Sequence, residues 1–277
     1  MGFHGVPLSV QDGKIVTVEG VEVAKIVGEC EHGVQAETLL VKMTDGRLAI
    51  FKKYDDDGHA TVDSEFNILN HLQDSPYTAN VYAAYRNGIF QQVVGDKDLF
   101  DLIMCDDIPL HSRFKTYKSL LHNVWNAICD LHKRGVAWGD IKLENIRVNS
   151  ETFEVYFVDA GSANNKSGVV YPYTPSYSHA CVFRRNVLTL KEQQEQQDMH
   201  GIAMVFYAIL LKKNAAPLPT KVFHPLERKF LQGCLNEMKP DLTMLMDFFK
   251  KPLSPVDHNE QDSNRARKKR KTGSLTA

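Results

Sequence analysis

The chain has 277 residues, 43% hydrophobic and 24% charged, an ordinary globular balance with length for one large or two small cores. A net charge of −1 excludes a protein that coats nucleic acid with its whole surface. The charge is uneven, however: residues 265–271, RARKKRK, are nearly all basic, so the body before them is acidic.

Five dispersed cysteines (Cys30, Cys105, Cys129, Cys181, Cys234) form no CxxC pair and read as reduced thiols of cytosol or nucleus. The N-terminus lacks a basic stretch followed by an apolar run, so no secretory signal is expected. Met1-Gly2 opens a myristoylation context, but Val6 stands where Ser or Thr is needed. Taken in chain order, the first hundred residues read mainly as strands. KIVTVEGVEVAKIV (14–27) alternates apolar and polar residues with a break at Gly20. ETLLVKM and RLAIFKKY flank TDG (44–46), which predicts a hairpin. VDSEFNILNHL (62–72) has helical spacing, with Phe66, Leu69 and Leu72 on one face. Strands are expected again at NVYAAYR, IFQQVV and LFDLIM.

Beyond the acidic stretch CDDIPLHS (105–112) the period is helical. YKSLLHNVWNAICDLHKRG (117–135) aligns Leu120, Leu121, Val124, Trp125, Ile128 and Leu131 in one stripe, and Gly135 ends it. Two short strands follow, NIRV and EVYFVDA. Residues 198–211 and 225–250 read as helices, with Asp198 at a helix start as an N-cap. The longest apolar run, GIAMVFYAILL (201–211), is too short to span a bilayer, so no membrane partner is expected. Residues 252–277, polar and charged, read as a disordered tail. None of the eleven histidines has HExxH or paired metal spacing, so no zinc is expected.

Two turns carry the chemistry. In WGDIKLENI (138–146), Asp140, Lys142 and Asn145 follow the long helix. Asp159 ends the strand VYFV and precedes Ala160-Gly161. Carboxylate and amide oxygens are hard ligands suited to Mg²⁺ together with substrate phosphates. The plain readings are a polar loop and a strand-ending turn aspartate, the latter common by itself.

DLHKRGVAWGDIKLENIRV and VYFVDAG together resemble the catalytic and metal loops of eukaryotic-type protein kinases, His-Arg-Asp-x-Lys-x-x-Asn and Asp-Phe-Gly. The resemblance extends in order over about residues 14–250. It implies an α+β bilobal fold: a β-rich N-lobe (1–104), a hinge (105–109), a mainly helical C-lobe (110–251) and the basic tail. It places Gly28 and Gly33 in the glycine-rich turn, with Cys30 at its middle glycine. Lys52 becomes the strand lysine, with Lys53 as the alternative on the opposite face. Glu65 becomes that lysine's helical partner and Met104 a residue at the back of the nucleotide site. ATP would lie against Gly28, Gly33, Lys52, Met104, Asn145 and Asp159, with Asn145 and Asp159 on Mg²⁺. Asp140 would accept the substrate proton, with Lys142 near the phosphate. YTPSY (173–177) resembles the end of an activation segment, and DMHGIAMVFYAIL (198–210) resembles the buried large-lobe helix that starts with an aspartate, which implies that Asp198 also bonds the catalytic-loop backbone. Lys142 and Thr174-Pro175 resemble the serine/threonine branch, which implies a protein substrate.

The departures are specific. Trp138-Gly139 replaces His-Arg, so the arginine that anchors a phosphorylated loop is missing and activity independent of loop phosphorylation is expected. Ala160 replaces the phenylalanine, and Trp138 has the bulk to fill that space. Residues 179–181 lack the segment-ending glutamate, and the arginine that pairs with it is missing too, a double loss that can be nearly neutral. Arg147 stands where an apolar residue lies beneath adenine. These features keep open a pseudokinase acting as a binding module. Gly139 leaves a small-molecule phosphotransferase as a third reading. The tail reads as a nuclear import signal or a generic solvated run, so nucleus or cytoplasm is expected, with an import receptor as partner and nucleic acid contacted only through the tail. Replacing Lys268, Lys269, Arg270 and Lys271 with alanine should shift a tagged protein out of the nucleus; an unchanged distribution by microscopy excludes the import reading.

Overall fold

Alternating apolar and polar residues give the first half its strands. These are β1 (Phe3–His4), β2 (Leu8–Gln11), β3 (Lys14–Thr17), β4 (Glu22–Glu29), β5 (Ala36–Met43), β6 (Leu48–Tyr54), β7 (Val81–Tyr85) and β8 (Gly88–Gln92). The structure, a computed structural model, describes residues 3–4, 6–17, 19–29, 36–54, 59–165 and 190–212, all within a unit spanning 1–240. The strands form one sheet in the order β1-β7-β8-β6-β5-β4-β3-β2. The TDG turn is the expected hairpin: the Met43 amide donates to the Arg47 carbonyl, and Asp45 accepts from the Arg47 amide at 3.0 Å. One face buries Leu8, Ile15, Leu39, Val41, Phe51 and Phe90, with the rings of Phe51 and Phe90 stacked at 4.6 Å. Each such side chain contributes about 1.5–3 kcal/mol through burial.

β1 runs parallel to β7, and β2 pairs with β3. The two outermost strands are thus successive parts of one N-terminal segment, which ties the ends of the sheet together. The Arg86 amide donates to the Val6 carbonyl at 3.1 Å. The buried Asn87 side chain accepts from the Leu8 amide at 2.8 Å and donates to the Leu8 carbonyl at 2.9 Å. LSVQ is too short an alternation to announce this from sequence.

Helix α1 (His59–His71) buries Val62, Glu65, Ile68 and Leu69, and Leu72 just beyond its end is buried with them. Leu69 and Leu72 of the expected face are buried, while Phe66 is half-buried at its margin. The helix lies against β7, β8 and a 3₁₀ turn at Ala160–Ser162.

The chain leaves the large sheet after β8 and enters a second sheet through residues 93–96. This sheet contains β9 (Lys97–Asp98), β10 (Ile146–Val148) and β11 (Val155–Phe157) in the order β11-β10-β9. LFDLIM, expected as a strand, is helix α2 (Leu99–Met104). Asp98 caps it by accepting from the Asp101 amide at 2.7 Å, and Leu99 and Ile103, one turn apart, are its buried contacts. Six residues are too few to show a helical period. The expected boundaries change accordingly. Residues 105–109 join α2 to α3 (Leu110–Lys133), and α2 already packs on β9 and β10, so the passage between lobes is 93–96 and not 105–109. Met104 ends α2 and is not at the end of the large sheet. The crossing hugs β10: the Asp96 amide donates to the Val148 carbonyl at 3.0 Å. Gly95 has φ +58°, and a Cβ there would meet the Val148 amide nitrogen at 2.7 Å. A side chain would push the crossing off the strand.

The stripe expected on α3 is buried as a set: Leu120, Leu121, Val124, Trp125, Ile128 and Leu131. The helix begins well before Tyr117, and its fully buried Arg113 donates to Asp106 and to the Ile209 carbonyl, each at 2.6 Å. Ile209 lies on α4 (Leu190–Leu211). Among the described residues, no helix is long and apolar enough to cross a membrane. Residues 225–250 and the tail lie outside the described residues.

Asn87→Ala strips the Leu8 amide and carbonyl of their partners. Because orphaned buried polar groups cost about 1–3 kcal/mol each, urea unfolding should show a loss of about 2 kcal/mol or more with an unchanged slope.

Candidate active site

Strand geometry decides which lysine enters the cleft. Side chains alternate across β6, so Lys52 faces α1 while Lys53 reaches Glu37 on β5 at 3.2 Å. The Lys52 ammonium donates to both Glu65 oxygens, at 3.3 and 3.1 Å, and to Asp159 Oδ1 at 2.6 Å. The Glu65 side chain is 0% exposed. It also accepts from Gln91 Nε2 at 3.2 Å and from the Tyr54 hydroxyl. Burial alone would lower the Lys52 ammonium, but the carboxylates of Glu65 and Asp159 outweigh it and hold it well above the usual lysine value. Burial would raise the Asp159 carboxyl; the Lys52 charge and hydrogen bond prevail and hold it below the usual aspartate value.

The second half of the site is a loop pinned from below. Asp198 lies inside α4, not at its start, so it is no N-cap. Its buried carboxylate accepts from the Trp138 amide at 2.7 Å, the Gly139 amide at 2.8 Å and His132 Nε2 at 2.8 Å. Gln197 Nε2 donates to the Gly139 carbonyl at 2.7 Å. Gly139 has φ +87°, and a Cβ there would sit 2.4 Å from the Ser162 carbonyl oxygen. The loop can therefore lie against the 3₁₀ turn after Asp159 only with glycine at this position. The Ala137–Asn164 bridge holds the two segments together.

Asn145 ends a 3₁₀ turn, Leu143–Asn145, and joins the two acidic residues. Its side-chain amide donates to the Asp140 carbonyl and to Asp140 Oδ2, both at 3.0 Å. Its carbonyl accepts from Val158, next to Asp159, at 3.0 Å. Lys142 Nζ lies 3.0 Å from Asp140 Oδ2. Asp159 has left-handed backbone, φ 65° and ψ 71°, a conformation that costs about 1–3 kcal/mol outside glycine. Its cross-lobe contact with Lys52 compensates part of that strain. Trp138 is fully buried, edge-on to Phe157 with ring centres 5.6 Å apart. Ala160 is also fully buried, in the 3₁₀ turn on which α1 packs.

Of the residues singled out from sequence, Lys52, Glu65 and Asp159 meet directly, and Asp140, Lys142 and Asn145 form an adjoining cluster. Gly28 lies on β4 opposite Leu40, whose side chain a Cβ would meet at an ordinary 3.7 Å, so local packing does not demand glycine. Cys30, Gly33, residues 173–177 and residues 179–181 lie outside the described residues. Arg147 is half-buried on β10, its guanidinium 3.5 Å from the Gly95 carbonyl. Tyr54, Gln91 and His132 went unmarked. Tyr54 had a readable signal, two residues from Lys52 and hence on its face. Gln91 required knowledge of which strand pairs with β6.

The donor set suits a hard divalent cation. Asn145 and Asp159 supply oxygens on adjoining segments, and the Asp159 side chain is 44% exposed, open to a ligand. Among the described residues, no cluster of three or more His, Cys, Asp or Glu gathers to form an all-protein metal cage. The protein kinase domain family matches residues 22–246. The chain belongs to the protein kinase family. Comparison with curated proteins finds none that matches. Strands β1 to β3, the segment that ties the large sheet together, precede the matched region.

The two shifts fix the sign of the pH dependence. Asp159, depressed in the folded chain, contributes stability above the ordinary aspartate value of 3.8 and loses it as pH falls through the folded value. Lys52, raised, contributes fully below the ordinary lysine value of 10.5 and loses that only as pH rises through the folded value. Asp159→Asn should therefore unfold at lower urea than wild type near about pH 7, and the gap should close towards about pH 3. A gap that stays constant across that window contradicts the assignment.

Proposed function

We propose that this kinase domain is an active, ATP- and Mg²⁺-dependent enzyme that phosphorylates serine and threonine hydroxyls of proteins. The observation that carries the reading is the buried Lys52, held between Glu65 and Asp159, beside an Asp140–Asn145–Lys142 cluster whose polar groups are all present. In this reading Lys52 binds phosphate oxygens and Glu65 fixes its direction. Asn145 and Asp159 hold Mg²⁺, which neutralises phosphate charge when bound. Asp140, braced by Asn145 and Lys142, orients the substrate hydroxyl and takes its proton. Catalysis is then chiefly positioning and charge stabilisation, as phosphoryl transfer requires little covalent help.

Loop phosphorylation is not needed in this reading. Glycine at 139 is required by the approach to Ser162, and α4 fixes the loop through Asp198 without a phosphate anchor. Arg147 on β10 favours the second reading, a pseudokinase that binds partners, because it sets a guanidinium beside the crossing segment. The import-receptor reading of residues 265–271 rests on their charge.

Purified protein with labelled ATP, Mg²⁺ and a mixed protein substrate should label serine or threonine. Asp140→Asn should lower kcat by about 10²–10⁴, and Lys52→Met and Asp159→Asn should abolish transfer. Partner binding without any transfer favours the pseudokinase, and labelling of only a small hydroxylated metabolite favours a small-molecule phosphotransferase.

A further inference from the structure

We propose that Tyr54 and Gln91 are positioning residues for Lys52, acting through Glu65. The inference rests on the reading of this domain as an ATP-binding kinase and concerns how its lysine is held. A fully buried carboxylate needs a donor on each oxygen, because an unpaired buried charge is far costlier than an unpaired neutral group. Lys52 gives each Glu65 oxygen one bond and spends its third hydrogen on Asp159, so the second lone pair of each oxygen has to be met by another donor. Tyr54 donates to Oε2 of Glu65, and Gln91 donates to Oε1 at 3.2 Å.

These donors come from adjacent strands and one face. Lys52 and Tyr54 are two apart on β6; Gln91 on β8 stands opposite Ile50, two before Lys52. Tyr54 and Gln91 are 3% and 6% exposed, too dry for water to replace them cheaply. Donors that approach from two strands fix the orientation of the Glu65 carboxylate and dock α1 on the sheet at that point. The Tyr54 ring centre also lies 5.3 Å from Lys52 Nζ, so one side chain touches both members of the ion pair. Burial, then the Glu65 charge, hold the Tyr54 hydroxyl well above its usual value, so it stays a donor at neutral pH. The lysine is thereby directed at the cleft by Glu65 and the two strand residues that hold it.

The test uses full-length protein with Tyr54→Phe and Gln91→Leu, each alone and each combined with Lys52→Met; Gln91→Met serves if the leucine variant does not fold. Calorimetry gives the Kd of Mg–ATP, and steady-state kinetics give kcat and KM. Each single variant should weaken Mg–ATP binding and lower kcat by about tenfold. Neither should weaken binding further in the Lys52→Met background, because the effect passes through Lys52. Unchanged Kd and kcat in the single variants, or the same loss repeated without Lys52, overturns the proposal. Hydrogen exchange separates this from failure of the kinase reading. Should wild type neither bind Mg–ATP nor transfer phosphate, faster exchange of amides 59–71 in the variants, with β5 and β6 unchanged, still upholds the clamp. Exchange equal to wild type rejects it.

Discussion

The carboxylate of Glu65 is the constraint from which the rest of the site follows. It is sealed from water, and a buried ion left with a missing partner destabilises a fold by about 3–5 kcal/mol. The chain therefore has to bring β6, β8 and α1 to one point. Once Lys52 is committed to that point, its ammonium also reaches Asp159 on the other lobe at 2.6 Å. One buried charge on α1 thus orients the lysine, docks the helix and draws the loop after β11 towards the large sheet.

The second lobe reaches the same cleft by a different device. Asp198 is a carboxylate inside a helix that spends its lone pairs on the backbone of Trp138 and Gly139. Charge-assisted bonds to main chain fix a loop more firmly than side-chain packing, since they leave the peptide planes little freedom. Asn145 then joins the two acidic segments, by its side chain to Asp140 and by its carbonyl to the residue before Asp159. The substitutions that set this chain apart, Trp138, Gly139 and Ala160, fall on the packing side of the loop, where bulk and close approach matter.

Much of this was legible because it follows from short-range rules. Strand alternation separated Lys52 from Lys53, whereas Glu65 came from the family resemblance and not from the helical period, which marked Phe66, Leu69 and Leu72. Other features depend on information that no local window contains. LFDLIM is apolar enough for a strand, and the Asp98 cap with Leu99 and Ile103 buried one turn apart favours a helix instead; misreading it moved the lobe boundary and carried Met104 with it. Asp198 was expected at a helix start, yet α4 begins at Leu190. Gln91 meets Glu65 only because β8 pairs with β6, a fact of topology.

The N-terminal strands have a consequence for the order in which the chain can assemble. Residues 3–11 are made before the partners they need: β1 completes its pairing only against Val81–Tyr85, and Leu8 waits for Asn87. Contacts this distant in sequence slow folding, because the closure entropy is spent before any bond returns it. Strand β2 can pair at once with the adjacent β3, but β1 is held without its partner until β7 follows, a window in which a chaperone would find it.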